Sequence, residues 1–190
     1  MQTGLSMAAT ESARRLFLAL YPELGQRQQL LRAVETHCPG LLSAPSRPVP
    51  LENFHITLAF LGGVSSTVQA CVEQVATTVT NPAFSITLDR LGYWSRKRML
   101  WAMPDPGQVP EALSTLVAGL YQGLAACDVV LEQRPYRPHV TLARKLGHGP
   151  KDGRIAPVCW TFDRFVLMES VSTPAGVRYP VLRFWPLTAC

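Results

Sequence analysis

Histidine is scarce in this chain, and the partners that would make it a metal ligand are scarcer. Only four of the 190 residues are His. The five cysteines, at 38, 71, 127, 159 and 190, are widely scattered and form no Cys-x-x-Cys pair, and no His-Glu-x-x-His string occurs. A zinc site built on such spacings is therefore not expected. Also missing are Gly-x-Gly-x-x-Gly, Gly-x-x-x-x-Gly-Lys-Ser/Thr and Gly-x-Ser-x-Gly. Their absence removes the signatures of dinucleotide-binding folds, P-loop enzymes and serine-hydrolase elbows. No apolar run reaches the 18 residues that a membrane helix needs. Charged residues make up only 16% of the chain, and 18 Lys/Arg against 13 Asp/Glu leave a net charge of +5. That balance suits a polyanionic ligand but falls short of the basic runs of a dedicated nucleic-acid binder. The one dense basic cluster, Arg96-Lys97-Arg98, reads as a solvated hairpin tip.

The odd-numbered, scattered cysteines read as reduced thiols, mostly buried as small hydrophobes, of a cytoplasmic protein. Residues 1–12 carry no positive segment followed by an apolar core, so no secretory signal is evident. Residues 1–14 are expected to be a disordered tail, and 15–190 a single domain large enough to bury a good core. A monomer is expected.

Against that background one pattern stands out. His55-Ile56-Thr57-Leu58 returns as His139-Val140-Thr141-Leu142, so half of the histidines open the same string. Each copy sits in a β-like stretch, Asn53-Phe-His-Ile-Thr-Leu-Ala-Phe-Leu61 and Arg137-Pro-His-Val-Thr-Leu-Ala-Arg144, bounded by Gly62-Gly63 and Gly147. Side chains two apart share a face of a strand. His55, Thr57 and Ala59 are thus expected on one face, with Ile56, Leu58 and Phe60 turned to a core. His139, Thr141 and Ala143 repeat the arrangement, with Val140 and Leu142 behind. One isolated strand His is usually structural; a duplicated His-x-Thr argues for a site. His37 and His148 lie in loop-like surroundings and read as surface groups.

Elsewhere the pattern predicts strands at 15–21, 84–94, 99–103, 159–171 and 179–186. Helices are predicted at 22–36, 65–80 and 109–126, the second capped by the Ser65-Ser66-Thr67 stretch. Residues 84–103 read as a hairpin around 95–98, and 172–176 as the turn joining the last two strands. Helices and strands mix without strict alternation, so the fold class is α+β.

Two imidazoles can take one proton and give another near neutral pH, and adjacent threonine hydroxyls can bond an anion's oxygens. That combination suits opening of a phosphodiester. Arg144 sits five residues after His139, which by alternation puts it on the opposite face unless the strand is bulged. Tyr136 and Arg137 precede the second motif as possible substrate contacts, Tyr136 by stacking a base.

At these residues the chain resembles the two-histidine phosphoesterase superfamily, and within it the RNA 2′,3′-cyclic phosphodiesterases, also called 2′-5′ RNA ligases. The likeness rests on Arg15-Leu-Phe-Leu-Ala-Leu, on 53–62 and on Tyr136-Arg-Pro-His-Val-Thr-Leu-Ala-Arg-Lys145, with Phe60 and Arg144 at the family's flanking positions. It implies a bilobed α+β fold whose pseudo-symmetric lobes face each other across a cleft. It also implies cofactor-free, metal-free opening of a 2′,3′-cyclic phosphate at an RNA end to a 2′-phosphomonoester. In that scheme His55 is the acid, His139 the base, and Arg144 lies near the phosphate. The alternatives within the resemblance are a 2′-5′ ligase or an esterase of ADP-ribose cyclic phosphate. A rival of another class is an RNA-end-binding module without turnover, against which the intact His and Thr pairs argue.

Overall fold

The computed structural model describes residues 13–43, 46–150 and 153–189. The first half of the chain contains β1 (Arg14–Leu20), α1 (Leu24–His37), β2 (Arg47–Pro48), β3 (Ile56–Val64) and α2 (Ser66–Thr78). β4 (Phe84–Trp94), β5 (Met99–Met103), α3 (Glu111–Leu124) and β6 (Val140–Arg144) follow. The chain closes with β7 (Arg154–Phe162), β8 (Arg164–Glu169), β9 (Val171–Thr173), β10 (Gly176–Arg178) and β11 (Val181–Pro186).

The main sheet runs β11-β8-β1-β3-β6-β5-β4-β7, with β2 added beside β6, and its ladders are antiparallel. Its halves, β11-β8-β1-β3 and β6-β5-β4-β7, meet at the motif strands through a single pair, Ile56 opposite Val140. The expected pseudo-symmetric lobes are these halves. β9 and β10 form a separate two-stranded ribbon.

One face of the sheet carries the core. Leu30 and Val34 of α1, Val72 and Ala76 of α2, and Leu113, Leu116 and Leu120 of α3 join Leu16, Leu18, Ile56, Leu58, Val140 and Leu142 in one buried cluster. α2 starts where expected, with the Ser65 hydroxyl accepting from the Val68 N–H at 3.3 Å. The Trp160 indole of β7 is fully buried and donates to the Gln26 carbonyl, which fixes α1 against the far half of the sheet. The opposite face carries a small second cluster of Phe17, Ala19, Val166 and Met168, with Tyr21 and Tyr179 at its margin.

Several expectations need correction. β1 begins at Arg14, whose guanidinium is paired with Glu169, so this residue belongs to the domain and not to a tail. Residues 1–12 and Cys190 lie outside the described residues. The strand expected over 159–171 is broken twice, at Asp163, whose carbonyl accepts from the Leu187 N–H, and at Ser170, after which Val171 opens β9. β7 pairs with β4 in one half and β8 with β1 in the other. The chain thus changes halves at one residue, and the outer edges of the sheet approach there, with Pro82 bridging to Thr188.

The cysteines also depart from expectation: Cys71 of α2 and Cys127, just after α3, form a disulfide with Cα atoms 5.8 Å apart. The two helices pack side by side, which brings together residues 56 apart in sequence, and no local spacing signals that. Cys38 and Cys159 remain thiols, and Cys159 is exposed rather than buried. Among the described residues no helix is long and apolar enough to cross a membrane.

Candidate active site

The motif strands put their polar side chains on the face away from the helices. Extending the antiparallel pairing of Ile56 with Val140 by one residue sets His55 across from Thr141, and Thr57 across from His139. The two histidines are then diagonal neighbours, a relation that spans about 7–8 Å at the backbone. Ile56, Leu58, Val140 and Leu142 are all buried behind them.

Both rings are oriented the same way. His55 Nδ1 lies 2.7 Å from the Asn53 carbonyl, and His139 Nδ1 lies 2.8 Å from the Arg137 carbonyl. A carbonyl only accepts, so each Nδ1 donates a hydrogen and each Nε2 is left for proton exchange. Asn53 is itself buried, and its side-chain amide donates to the Val177 carbonyl at 2.7 Å, tying the turn before β3 to β10. Aromatic rings wall both imidazoles. Phe17 and Tyr179 lie 5.0 Å and 5.1 Å from the His55 ring, and Trp94 meets the His139 ring edge-on at 4.8 Å.

Burial in this setting disfavours the imidazolium. It pushes His55 down to about 4, against a partial upward pull from the Asn53 carbonyl, with the His139 and Arg144 charges adding to the depression. His139 is also held below its ordinary value, first by burial, with Lys97 and Arg144 contributing and the Arg137 carbonyl opposing.

Arg144 is thus near both rings, and strand geometry explains how it gets there. In β6, Thr141 pairs with Trp101 and Ala143 with Leu100, leaving Leu142 as an unpaired bulge residue. Leu142 and Ala143 are consequently both buried, and Arg144 returns to the face of Thr141. Its guanidinium Nη1 and the Thr141 hydroxyl approach the same Met99 sulfur, at 3.4 Å and 3.8 Å. Arg144 is exposed and forms no ion pair among the described residues.

β3 repeats the device. Ala19 pairs with Thr57 and Leu18 with Ala59, so Leu58 is the skipped residue. Leu58 and Ala59 are both buried, and Phe60, expected in the core by alternation, is 58% exposed and packs 6.0 Å from Phe17. The alternation that put Ala59 and Ala143 beside the motif residues fails at the same two points.

Tyr136 lies elsewhere than the expected stacking position. Its ring packs against the core, its hydroxyl donates to the Thr57 carbonyl at 3.1 Å, and burial pushes its ionisation well up. It therefore braces the first motif strand from the segment preceding the second. The Arg137 side chain is exposed, and the contact it makes to the site is through its carbonyl. His37 ends α1, and His148 is exposed in the loop after β6.

Sequence reading did not single out Phe17, Met99, Trp94 and Tyr179. Phe17 and Met99 lie on strands flanking the motifs, on the motif face, and strand parity combined with a known strand order would have found them. Trp101, opposite Thr141, lies across Gly92, where a Cβ would overlap its ring. A groove of about 850 Å³ beside Tyr21, Arg27 and Arg164 is lined by none of the motif residues. Among the described residues no group of three or more His, Cys, Asp or Glu side chains could hold a metal ion.

A family model for the 2′-5′ RNA ligase superfamily matches residues 22–173. The chain belongs to that superfamily. Within this superfamily it is 33% identical over 181 residues to the RNA 2′,3′-cyclic phosphodiesterase of Escherichia coli K12, covering 92% of this chain and 97% of that protein. The crystal structure of E. coli LigT complexed with 3′-AMP superposes with a TM-score of 0.82 at 30% identity, covering 93% of this chain and 99% of that one. A crystal structure of a phosphoesterase gives a TM-score of 0.83 at 31% identity, with the same coverage of both chains. The bilobed α+β fold is that of these superfamily members.

Proposed function

We propose that this protein hydrolyses 2′,3′-cyclic phosphate ends of RNA to 2′-phosphomonoesters, with His55 and His139 as the acid–base pair. The observation that carries this reading is the matched orientation of the two rings. Each imidazole is tethered through Nδ1 to the carbonyl two residues upstream, and each presents Nε2 on the same face. The activity of the E. coli relative supports it.

The chemistry follows from the groups present. Water attacks phosphorus in line with the P–O3′ bond and loses a proton to Nε2 of His139. As P–O3′ breaks, Nε2–H of His55 protonates O3′, leaving a 3′-hydroxyl and a 2′-phosphate; solvent exchange then resets both rings. The Thr57 and Thr141 hydroxyls and the Arg144 guanidinium bond the non-bridging oxygens, most strongly as charge builds there. Since burial and Arg144 hold both rings neutral in the free protein, the substrate's negative charge is what favours protonation of one of them. Acid, base and anion contacts all come from these side chains, and the reaction is proposed to run without metal.

The test is incubation with an oligoribonucleotide ending in a 2′,3′-cyclic phosphate in the presence of EDTA. Conversion to a 2′-phosphate end is expected. An unchanged end, a 3′-phosphate, or turnover that chelation stops and one divalent ion restores would contradict the proposal.

A further inference from the structure

Two arginines stand side by side at the motifs, and sequence reading singled out only one of them. β2 brings Arg47 directly opposite Arg144 in its antiparallel pairing with β6, with Pro48 opposite Ala143. Side chains placed directly opposite share a face, their Cβ atoms about 4.5–5.5 Å apart. Arg47 therefore joins Arg144 on the motif face. β2 is only two residues long, and hydrogen bonds on either side of it hold the chain in place. The Val49 N–H donates to the Leu142 carbonyl at 2.8 Å, and the Ser46 N–H and hydroxyl both donate to the Ser43 carbonyl, at 3.1 Å and 2.6 Å. Arg47 and Arg144 are both exposed, and neither forms an ion pair among the described residues. Like charges directly opposite each other destabilise a sheet, so an anion from outside the chain is what would settle this pair.

The register bears on which anion that is. Ala143 already pairs with Leu100 of β5, so β2 lies along the other edge of β6, the edge that β3 occupies at Ile56 and Val140. Along β6, Arg144 lies beyond Thr141, which stands across from His55, and away from His139. Arg47 is thus at the His55 end of the site, on the β3 side of β6. In the proposed mechanism His55 protonates O3′, so the ribose carbons that follow O3′ leave the cyclic phosphate towards this end. Both hydroxyls of the last ribose are committed to that phosphate, and the next phosphate is the one on its 5′ oxygen. Arg144 bears on both imidazoles, whereas Arg47 is not among the charges acting on either. Arg144 addresses the phosphate the rings share; Arg47 stands one strand over, on the side of the leaving oxygen.

Resting on the function proposed above, we infer that Arg47 binds the phosphate on the 5′ side of the terminal ribose. The site then selects RNA ends and 5′-phosphorylated nucleotides over simple nucleoside 2′,3′-cyclic phosphates. A guanidinium's planar fork holds two oxygens of one phosphate and reads no base, which suits a chain of varied sequence.

The experiment compares kcat/KM for a nucleoside 2′,3′-cyclic phosphate with that for the same compound carrying a 5′-phosphate. In the wild type the 5′-phosphorylated substrate is expected to be favoured about five- to tenfold, the scale of one charge-assisted contact at an exposed site. In Arg47→Ala the preference should fall to near unity, and in Arg47→Lys part of it should persist. Relief of Arg144 from a like charge accompanies Arg47→Ala, but that effect acts on both substrates and cancels in the ratio. Lys97→Ala removes a cation that acts on His139 instead, and its ratio should match the wild type. A wild-type ratio in Arg47→Ala, equal falls in Arg47→Ala and Lys97→Ala, or no preference in a wild type that cleaves both substrates would overturn the inference and leave the proposed function standing. A wild type that cleaves neither substrate would remove both.

Discussion

Phe60 and Arg144 each stand five residues after a motif histidine, and one unpaired leucine in each strand turns both onto the motif face. Leu58 does this in β3 and Leu142 in β6. The repeat is therefore structural as well as chemical, since it preserves the bulge along with His-x-Thr. The copies differ in what the bulge delivers, an exposed aromatic in one half and a cation in the other, and β3 skips a second residue, Leu61, in its pairing with β1.

The first prediction concerns that cation. Arg144→Ala should lower kcat/KM by about ten- to a hundredfold, because a charge-assisted contact contributes about 1.5–3 kcal/mol. Arg144→Lys should recover part of the loss. Thermal stability should change little in either variant, since the side chain is exposed and forms no ion pair among the described residues. Wild-type kinetics in Arg144→Ala would take the guanidinium out of the reaction.

A second prediction separates the two histidines. His55→Ala and His139→Ala should each lose about 10²–10⁴-fold in turnover of the natural cyclic end while remaining folded. With sulfur in place of the bridging O3′ the leaving group is a thiolate and needs no proton. On that substrate His55→Ala should approach wild-type rates and His139→Ala should stay inactive. The reverse pattern would exchange the two roles.

Protonation also links the site to stability. The folded protein holds His55 at about 4, whereas the unfolded chain titrates near 6.5, so the unfolded state binds the extra proton between those values. Stability from this ring is fully present above about pH 6.5 and is lost as pH falls through 4, roughly 3 kcal/mol in all. His139 adds a loss of the same sign. Carboxylates titrate in this range as well, so the informative quantity is a difference between proteins. Urea unfolding at pH 7.5 and pH 4.5 should show His55→Gln losing less stability than the wild type, and equal losses would contradict the assigned burial.

Much of this was legible before folding. Strand parity placed His55 with Thr57 and His139 with Thr141 and sent Ile56 and Val140 to the core, because period-two patterns are local. Parity then failed at Ala59, Phe60, Ala143 and Arg144, since a bulge depends on the partner strand and leaves no mark on the strand's own sequence. Tyr136 was misplaced for a related reason. An aromatic beside a motif looks like a base platform, but its hydroxyl found the Thr57 carbonyl across the sheet. The carbonyls that orient the rings belong to Asn53 and Arg137, and any residue supplies a carbonyl, so no side-chain identity announced them. The Cys71–Cys127 pairing was hidden because it depends on how α2 and α3 pack.

The central claim is that the two imidazoles serve one phosphate, and ¹⁵N NMR titration of the histidine rings with and without 2′-AMP tests it most directly. Free, His55 and His139 should both titrate below the ordinary range, with hydrogen retained on Nδ1 in their neutral forms. With 2′-AMP bound, the pKa values of both should rise together while His37 and His148 stay unchanged. A response from only one of the two motif histidines, or equal responses from all four, would contradict a shared phosphate site.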